Sequence, residues 1–141
     1  MVDTLEQFFA QYSEAMDNAD VQRLTSFSMK PMVFVSDETK TICHSLQDID
    51  KVHQLLMSSL KQGGVVKHIP KIMQSMRLSD SVRFVKVRWV FCDGADQALF
   101  SCYCSYTMQV ENGDTLKILI SVLDDEQNII SDLMKQAQEK K

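Results

Sequence analysis

Three side chains of this 141-residue chain could share acid/base chemistry: His53, Tyr12 and Asp37. The imidazole of His53 changes charge near neutral pH, so it is the natural proton carrier of the three. It lies between Ile49 and Leu56, in a stretch whose apolar residues recur at helical spacing. Tyr12 belongs to a second such stripe, Leu5, Phe8, Phe9, Tyr12 and Met16. Asp37 follows the run MVFVS at 32–36 and could offer a carboxylate at a strand end. Each also has a plain structural reading: a partly buried histidine, a core tyrosine with its hydroxyl satisfied, and a turn aspartate. His44 and His68 fall at strand ends, where water reaches them. Trp89 shares a strand face with Val85, Val87 and Phe91, and is either core or the wall of a cavity. Arg83, Lys86 and Arg88 give that strand a basic flank, a solvated face or an interface.

The four cysteines, Cys43, Cys92, Cys102 and Cys104, form no C-x-x-C pair. Cys102 and Cys104 share a strand face with Cα atoms about 6.5–7 Å apart, at the limit of disulfide reach. They read as small apolar core residues. No P-loop, dinucleotide fingerprint, H-E-x-x-H, G-x-S-x-G or zinc spacing is present, so neither a cofactor nor a metal is expected. The nine methionines are spread over every element, as gap fillers or as a flexible lining for an apolar cavity.

The elements that must position these groups are legible from periodicity. Asp3 caps a helix running to about residue 18, and Asp20 caps a shorter one carrying Val21, Leu24 and Phe27. Pro31 ends helical structure. Residues 32–36 and 41–44 read as two short strands around the turn at 37–40. Ser45, with Asp48 three residues on, opens a third helix that stops at Gly63-Gly64. Four long strands follow, at 67–78, 82–92, 98–110 and 115–123. Pro70 places the first of them at a sheet edge. Asp93-Gly94 and Glu111-Asn112-Gly113-Asp114 mark turns, and Asn-Gly is the strongest short hairpin signal. The acidic break 124–126 precedes a polar C-terminal helix at 128–138 that frays at its end.

Strands about twice the usual length must twist and curl. The expected fold class is therefore α+β: a cone-shaped, strongly curved, mainly antiparallel sheet of about six strands. It wraps over three helices of the N-terminal half, with a short C-terminal helix added. One domain spans 1–141, with its core at about 3–123 and a helical tail at about 126–141. Alternation puts Phe100, Cys102, Cys104, Tyr106, Met108 and Val110 on one side of the third long strand. In the fourth, Leu116, Ile118, Ile120 and Val122 take the inner side. The opposite face, with Leu99, Ser101, Tyr103, Ser105 and Leu119, is neither core nor strongly charged and suits a homodimer interface.

A net charge of −4 argues against a nucleic acid or an anionic membrane surface as partner. No apolar run approaches the roughly 18 residues of a membrane span. MVDTLEQFF has an acid where a signal peptide carries basic residues, so the expected location is the cytoplasm.

The order helix, short helix, two short strands, helix, four long strands resembles the nuclear transport factor 2-like fold. The likeness covers about residues 5–123 and rests on QYSEAMDNADVQRLTSFS with MVFVS, and on YTMQVENGDTLKILISV. These look like the family's opening helices with their elbow, and its last hairpin. The superfamily holds ketosteroid isomerases, SnoaL-like polyketide cyclases, scytalone dehydratase and many small proteins without known activity. The resemblance implies a conical barrel with a pocket at its wide end and pairing through the sheet. Its isomerase branch uses a tyrosine on the first helix, a carboxylate after the first strand and a protonated acid on a late strand. Tyr12 matches the first. The second position falls on Ser36, one residue before Asp37, and such an offset turns a side chain to the opposite face. The third falls near Thr107, and no carboxylate lies between Ala98 and Val110. Keto-enol isomerase chemistry is therefore not expected.

The leading expectation is a small-molecule-binding protein of unassigned activity. Its apolar pocket would be lined by Tyr12, Met16, Phe34, Trp89, Tyr106 and Met108. A non-catalytic dimeric association or adaptor domain is the second reading. A SnoaL-like cyclase, hydratase or dehydratase, with His53 or Asp37 acting beside Tyr12, is the third.

Overall fold

A computed structural model describes residues 2–113, 115–125 and 127–139, with side chains from Leu5 to Gln138. The Asp3 side chain expected to cap the first helix, Asp114 of the last turn and Glu126 of the acidic break lie outside the described residues. The elements are α1 (Val2–Asp17), α2 (Val21–Ser26), β1 (Ser28–Val35), β2 (Lys40–Cys43), α3 (Leu46–Gln62), β3 (Lys67–Arg77), β4 (Val82–Cys92), β5 (Ala98–Glu111), β6 (Thr115–Asp124) and α4 (Ile129–Glu139).

Local chemistry accounts for most boundaries. Asp20 accepts the Arg23 amide at 3.1 Å and Ser45 accepts the Asp48 amide at 3.2 Å, capping α2 and α3. Asn112 and Gly113 hold φ of 50° and 92°, the left-handed pair that an Asn-Gly turn supplies. β1 begins four residues before the expected 32 and contains Pro31. The register between β1 and β6 shifts between Ser28 and Val33, so Pro31 sits where no ladder bond is asked of it.

The fold is α+β, with a strongly curved six-stranded sheet in the order β2-β1-β6-β5-β4-β3. Pairing is antiparallel throughout except β1 with β6, which run parallel. Three register shifts fall in the long strands, near Met73, Leu99 and Leu119. Such bulges increase local twist, which lets strands of 10 to 14 residues curl around the helices. Inner-face residues Val85, Val87, Trp89, Cys102, Tyr106 and Met108 close on Phe9, Tyr12, Leu24, Ile49 and Leu60 from the helices. Among the described residues, no helix is long and apolar enough to cross a membrane.

Three sequence expectations are corrected. In β6, Leu116 and Ile118 are buried, but Ile120 and Val122 are 36 % and 41 % exposed. Thr107 pairs with Ile120 and Met108 with Ile118, leaving Leu119 as the extra residue of a bulge. Every later side chain therefore changes face. His68 is buried rather than wet, because its ring packs edge-on to Phe91 and bonds Asp17. The C-terminal helix, expected to be polar, has an apolar side. Ile130, Leu133 and Met134 make a short apolar stripe, Ile130 is fully buried, and α4 packs on α3. Asp125 accepts the Ser131 amide at 2.8 Å and secures the start of α4.

Candidate functional site

Between the concave sheet and α1, α3 and α4 lies a cavity of about 480 Å³. That volume falls within the range typical of small-molecule sites, roughly 300–1,000 Å³. The buried part of its wall includes four aromatic side chains, Tyr12 from α1, Trp89 and Phe91 from β4, and Tyr106 from β5, beside Met16, Leu60, Ile130, His53, Cys102 and Cys104. Tyr12 stands with its ring centroid 5.8 Å from Trp89 and 6.2 Å from Tyr106. The Trp89 indole N–H donates to the Tyr106 hydroxyl at 2.9 Å. Exposed charged residues, Glu38, Lys51 and Lys135, stand on the wall as well, so charge gathers at the solvent end. Lys135 of α4 pairs with Glu38 of the β1–β2 turn at 3.1 Å, joining two sides of the opening.

Burial sets the electrostatics of the inner wall. Desolvation pushes the Tyr12 and Tyr106 phenols and the Cys102 and Cys104 thiols upward. They are neutral hydrogen-bonding groups at physiological pH, and the thiols are not nucleophiles. Cys104 Sγ lies 3.2 Å from Ser121 Oγ. All four cysteines are free. Among the described residues, no group of three or more His, Cys, Asp or Glu side chains is placed to hold a metal ion.

His53 comes to the cavity from α3 with only 1 % of its surface exposed. Its Nδ1 lies 3.0 Å from Thr25 Oγ1 of α2, and that hydroxyl donates to Asp50 Oδ1 at 2.5 Å. Phe34 stands edge-on to the imidazole, with ring centroids 5.7 Å apart. Nε2 is buried and has no hydrogen-bond partner among the described residues. Desolvation lowers the His53 pKa to about 4, against the opposing pull of the Asp50 charge, so the ring is neutral near pH 7.

Of the residues singled out from sequence, Tyr12, Met16, Phe34, His53, Trp89 and Tyr106 all line this one cavity. Met108 is fully buried and lies elsewhere in the core. Asp37 is exposed in the turn closed by Ser36 and Thr39, while its neighbours Ser36 and Glu38 reach the cavity wall. Sequence reasoning missed Thr25 and Asp50, which support His53. Asp50 was findable, since it stands one helical turn before His53. Ser121 and Leu123 were missed because strict alternation assigned them to the outer face. Ile130 and Met134 were missed because α4 was read as polar.

A family described as NTF2-like protein (DUF6841) matches residues 1–126. The chain belongs to this NTF2-like family. No curated protein matches it. Solved structures share the fold at low identity. An NTF-2 like protein of unknown function from Shewanella oneidensis is 12 % identical, with a TM-score of 0.69 over 88 % of this chain and 98 % of that one. A domain of unknown function with a cystatin-like fold from Nostoc punctiforme is 12 % identical, with a TM-score of 0.70 over 98 % and 90 %. A ketosteroid isomerase-like protein from Erwinia carotovora is 10 % identical, with a TM-score of 0.62 over 86 % and 92 %. At these identities the NTF2-like fold is what is shared, and the chemistry of the cavity rests on this chain's own residues.

Proposed function

We propose that this NTF2-like protein is a cytoplasmic small-molecule-binding protein whose ligand is an apolar organic compound held between Tyr12, Trp89, Phe34 and His53. One observation carries the reading: the inner wall of a cavity of about 480 Å³ is aromatic and aliphatic, with a few polar groups and its charges at the opening. Such a wall rewards removal of an apolar surface from water and gives a strongly charged metabolite little to pair with. Trp89 is the single tryptophan of the chain and stands in the wall, so its emission reports occupancy. Titration with apolar aromatic and polycyclic compounds should quench or shift that emission and raise Tm. If neither changes across such a panel, the protein is not a small-molecule binder.

If the site also turns its ligand over, His53 is the base, in a reaction of the cyclase, hydratase or dehydratase type. A neutral imidazole can take a proton. Asp37, exposed in its turn, has no comparable position.

A second reading concerns the opposite side of the sheet. Ile42, Ile69, Ile120 and Val122 are exposed there, and Tyr103 lies beneath Lys86 Nζ and Arg88 Cζ at 4.6 Å and 4.4 Å. An apolar face of this kind supports pairing with a second copy of the chain, which Leu99, Ser101, Tyr103 and Ser105 would join. Light scattering tests it, and a monomer at micromolar concentration rejects it.

A further inference from the structure

The hydrogen bonds around His53 decide which of its nitrogens is free. The Asp50 carboxylate only accepts, and the Thr25 hydroxyl has a single proton, which goes to Asp50 Oδ1 at 2.5 Å. The 3.0 Å contact between Thr25 Oγ1 and His53 Nδ1 is then a bond in which Nδ1–H donates. A neutral imidazole with its proton on Nδ1 has a bare lone pair on Nε2. That nitrogen is on the far side of the ring from Thr25. It belongs to a cavity-lining side chain and is buried without a partner among the described residues. Buried acceptors in folded proteins are nearly always paired.

We propose that the molecule this cavity takes carries a hydroxyl or N–H that donates to His53 Nε2, and that Thr25 and Asp50 are the positioning residues that hold the ring in its Nδ1–H form. The ligand class is thus an uncharged, largely apolar alcohol, phenol or amine-bearing ring compound. A ketone, ether or carboxylate at that point would set one acceptor against another. This rests on the small-molecule reading above and narrows it.

Two near-isosteric probes, 2-naphthol and 2-methylnaphthalene, test it through Trp89 fluorescence. Wild type should bind 2-naphthol about tenfold more tightly, the scale of one hydrogen bond, although the methyl compound is the more apolar. His53→Phe should abolish the preference while still binding both, and Thr25→Val should weaken it. Binding of neither probe by wild type overturns the small-molecule reading and this inference with it. Equal binding of both overturns this inference alone. A preference that survives His53→Phe also overturns it, because the donor then meets another group. Nitrogen-15 NMR of the unliganded wild type is independent of ligand and of any variant's folding. It should show Nδ1 protonated and Nε2 bare, and a protonated Nε2 overturns the assignment.

Discussion

Trp89 and Tyr106 stand on neighbouring strands of the cavity wall, and the indole N–H of one donates to the hydroxyl of the other at 2.9 Å. Both residues are almost fully buried, so this bond satisfies a donor that water cannot reach. Tyr106→Phe keeps the ring and removes the acceptor. Leaving the indole N–H unpaired should cost about 1–3 kcal/mol. Urea unfolding followed by Trp89 emission measures both the loss and the changed environment. A stability equal to wild type would show that the bond carries no net energy.

A second, half-buried junction ties α1 to the edge strand β3. Asp17 Oδ1 accepts from the backbone N–H and from Nδ1 of His68, each at 2.8 Å, and Ser13 Oγ donates to the His68 carbonyl. Burial lowers the His68 pKa, while the Asp17 bond and charge pull it back up. Asp17→Ala should therefore lower that pKa further, as read from the ring protons by NMR. It should also cost about 2–3 kcal/mol, because two donors lose a charged acceptor. An upward move of the His68 pKa in Asp17→Ala would contradict this account.

His53 links stability to pH. Its folded pKa of about 4 lies below its ordinary 6.5. Above pH 6.5 both folded and unfolded chains hold it neutral, and its contribution is complete. As pH falls from 6.5 towards 4, the unfolded chain takes up a proton that the folded chain refuses, so stability drops by about 3 kcal/mol. Below about 4 the folded state is protonated as well, and this contribution flattens. His68 acts in the same direction, so the informative quantity is a difference. Chemical denaturation at pH 7.0 and 4.5 should show a smaller acid loss in His53→Gln than in wild type. Equal losses would remove His53 as a source.

The roof of the cavity has its own test. Ile130 is 1 % exposed where α4 meets α3, so Ile130→Ala should destabilise by about 2–5 kcal/mol. Glu38→Ala removes an exposed ion pair at the cavity opening and should leave stability close to that of wild type. Thermal unfolding of both variants compares them. If Ile130→Ala is neutral, α4 is not part of the cooperative fold.

What the sequence made legible follows from the range of the signals. Strand length, Asn112-Gly113 and the caps Asp20 and Ser45 are local and strong, and the elements they predict are present. Tyr12, Trp89, Tyr106 and His53 converge because each sits on an inward stripe that periodicity reveals. A one-residue bulge at Leu119 leaves no comparable mark in composition, so strict alternation failed from Ile120 onward. Thr25 meets His53 across 28 positions of chain, a contact that neither helix announces on its own. His68 looked wet because its partner Asp17 belongs to a helix 51 residues away.

The bulge at Leu119 also redraws the outer face. Beyond it Ile120 and Val122 point away from the cavity, and Val33 of β1 pairs with both Ile120 of β6 and Ile42 of β2. The apolar row therefore runs across β2, β1 and β6 as well as over β5. If two copies pair through this face, Val122→Lys introduces a charge that a dimer must desolvate. Light scattering should then give a dimeric mass for wild type and a monomeric mass for Val122→Lys. Because Val122 is no part of the cavity wall, quenching of Trp89 by 2-naphthol should be unchanged. A variant that stays dimeric would place the interface elsewhere. A monomer that also loses 2-naphthol would mean that pairing through the sheet shapes the cavity behind it.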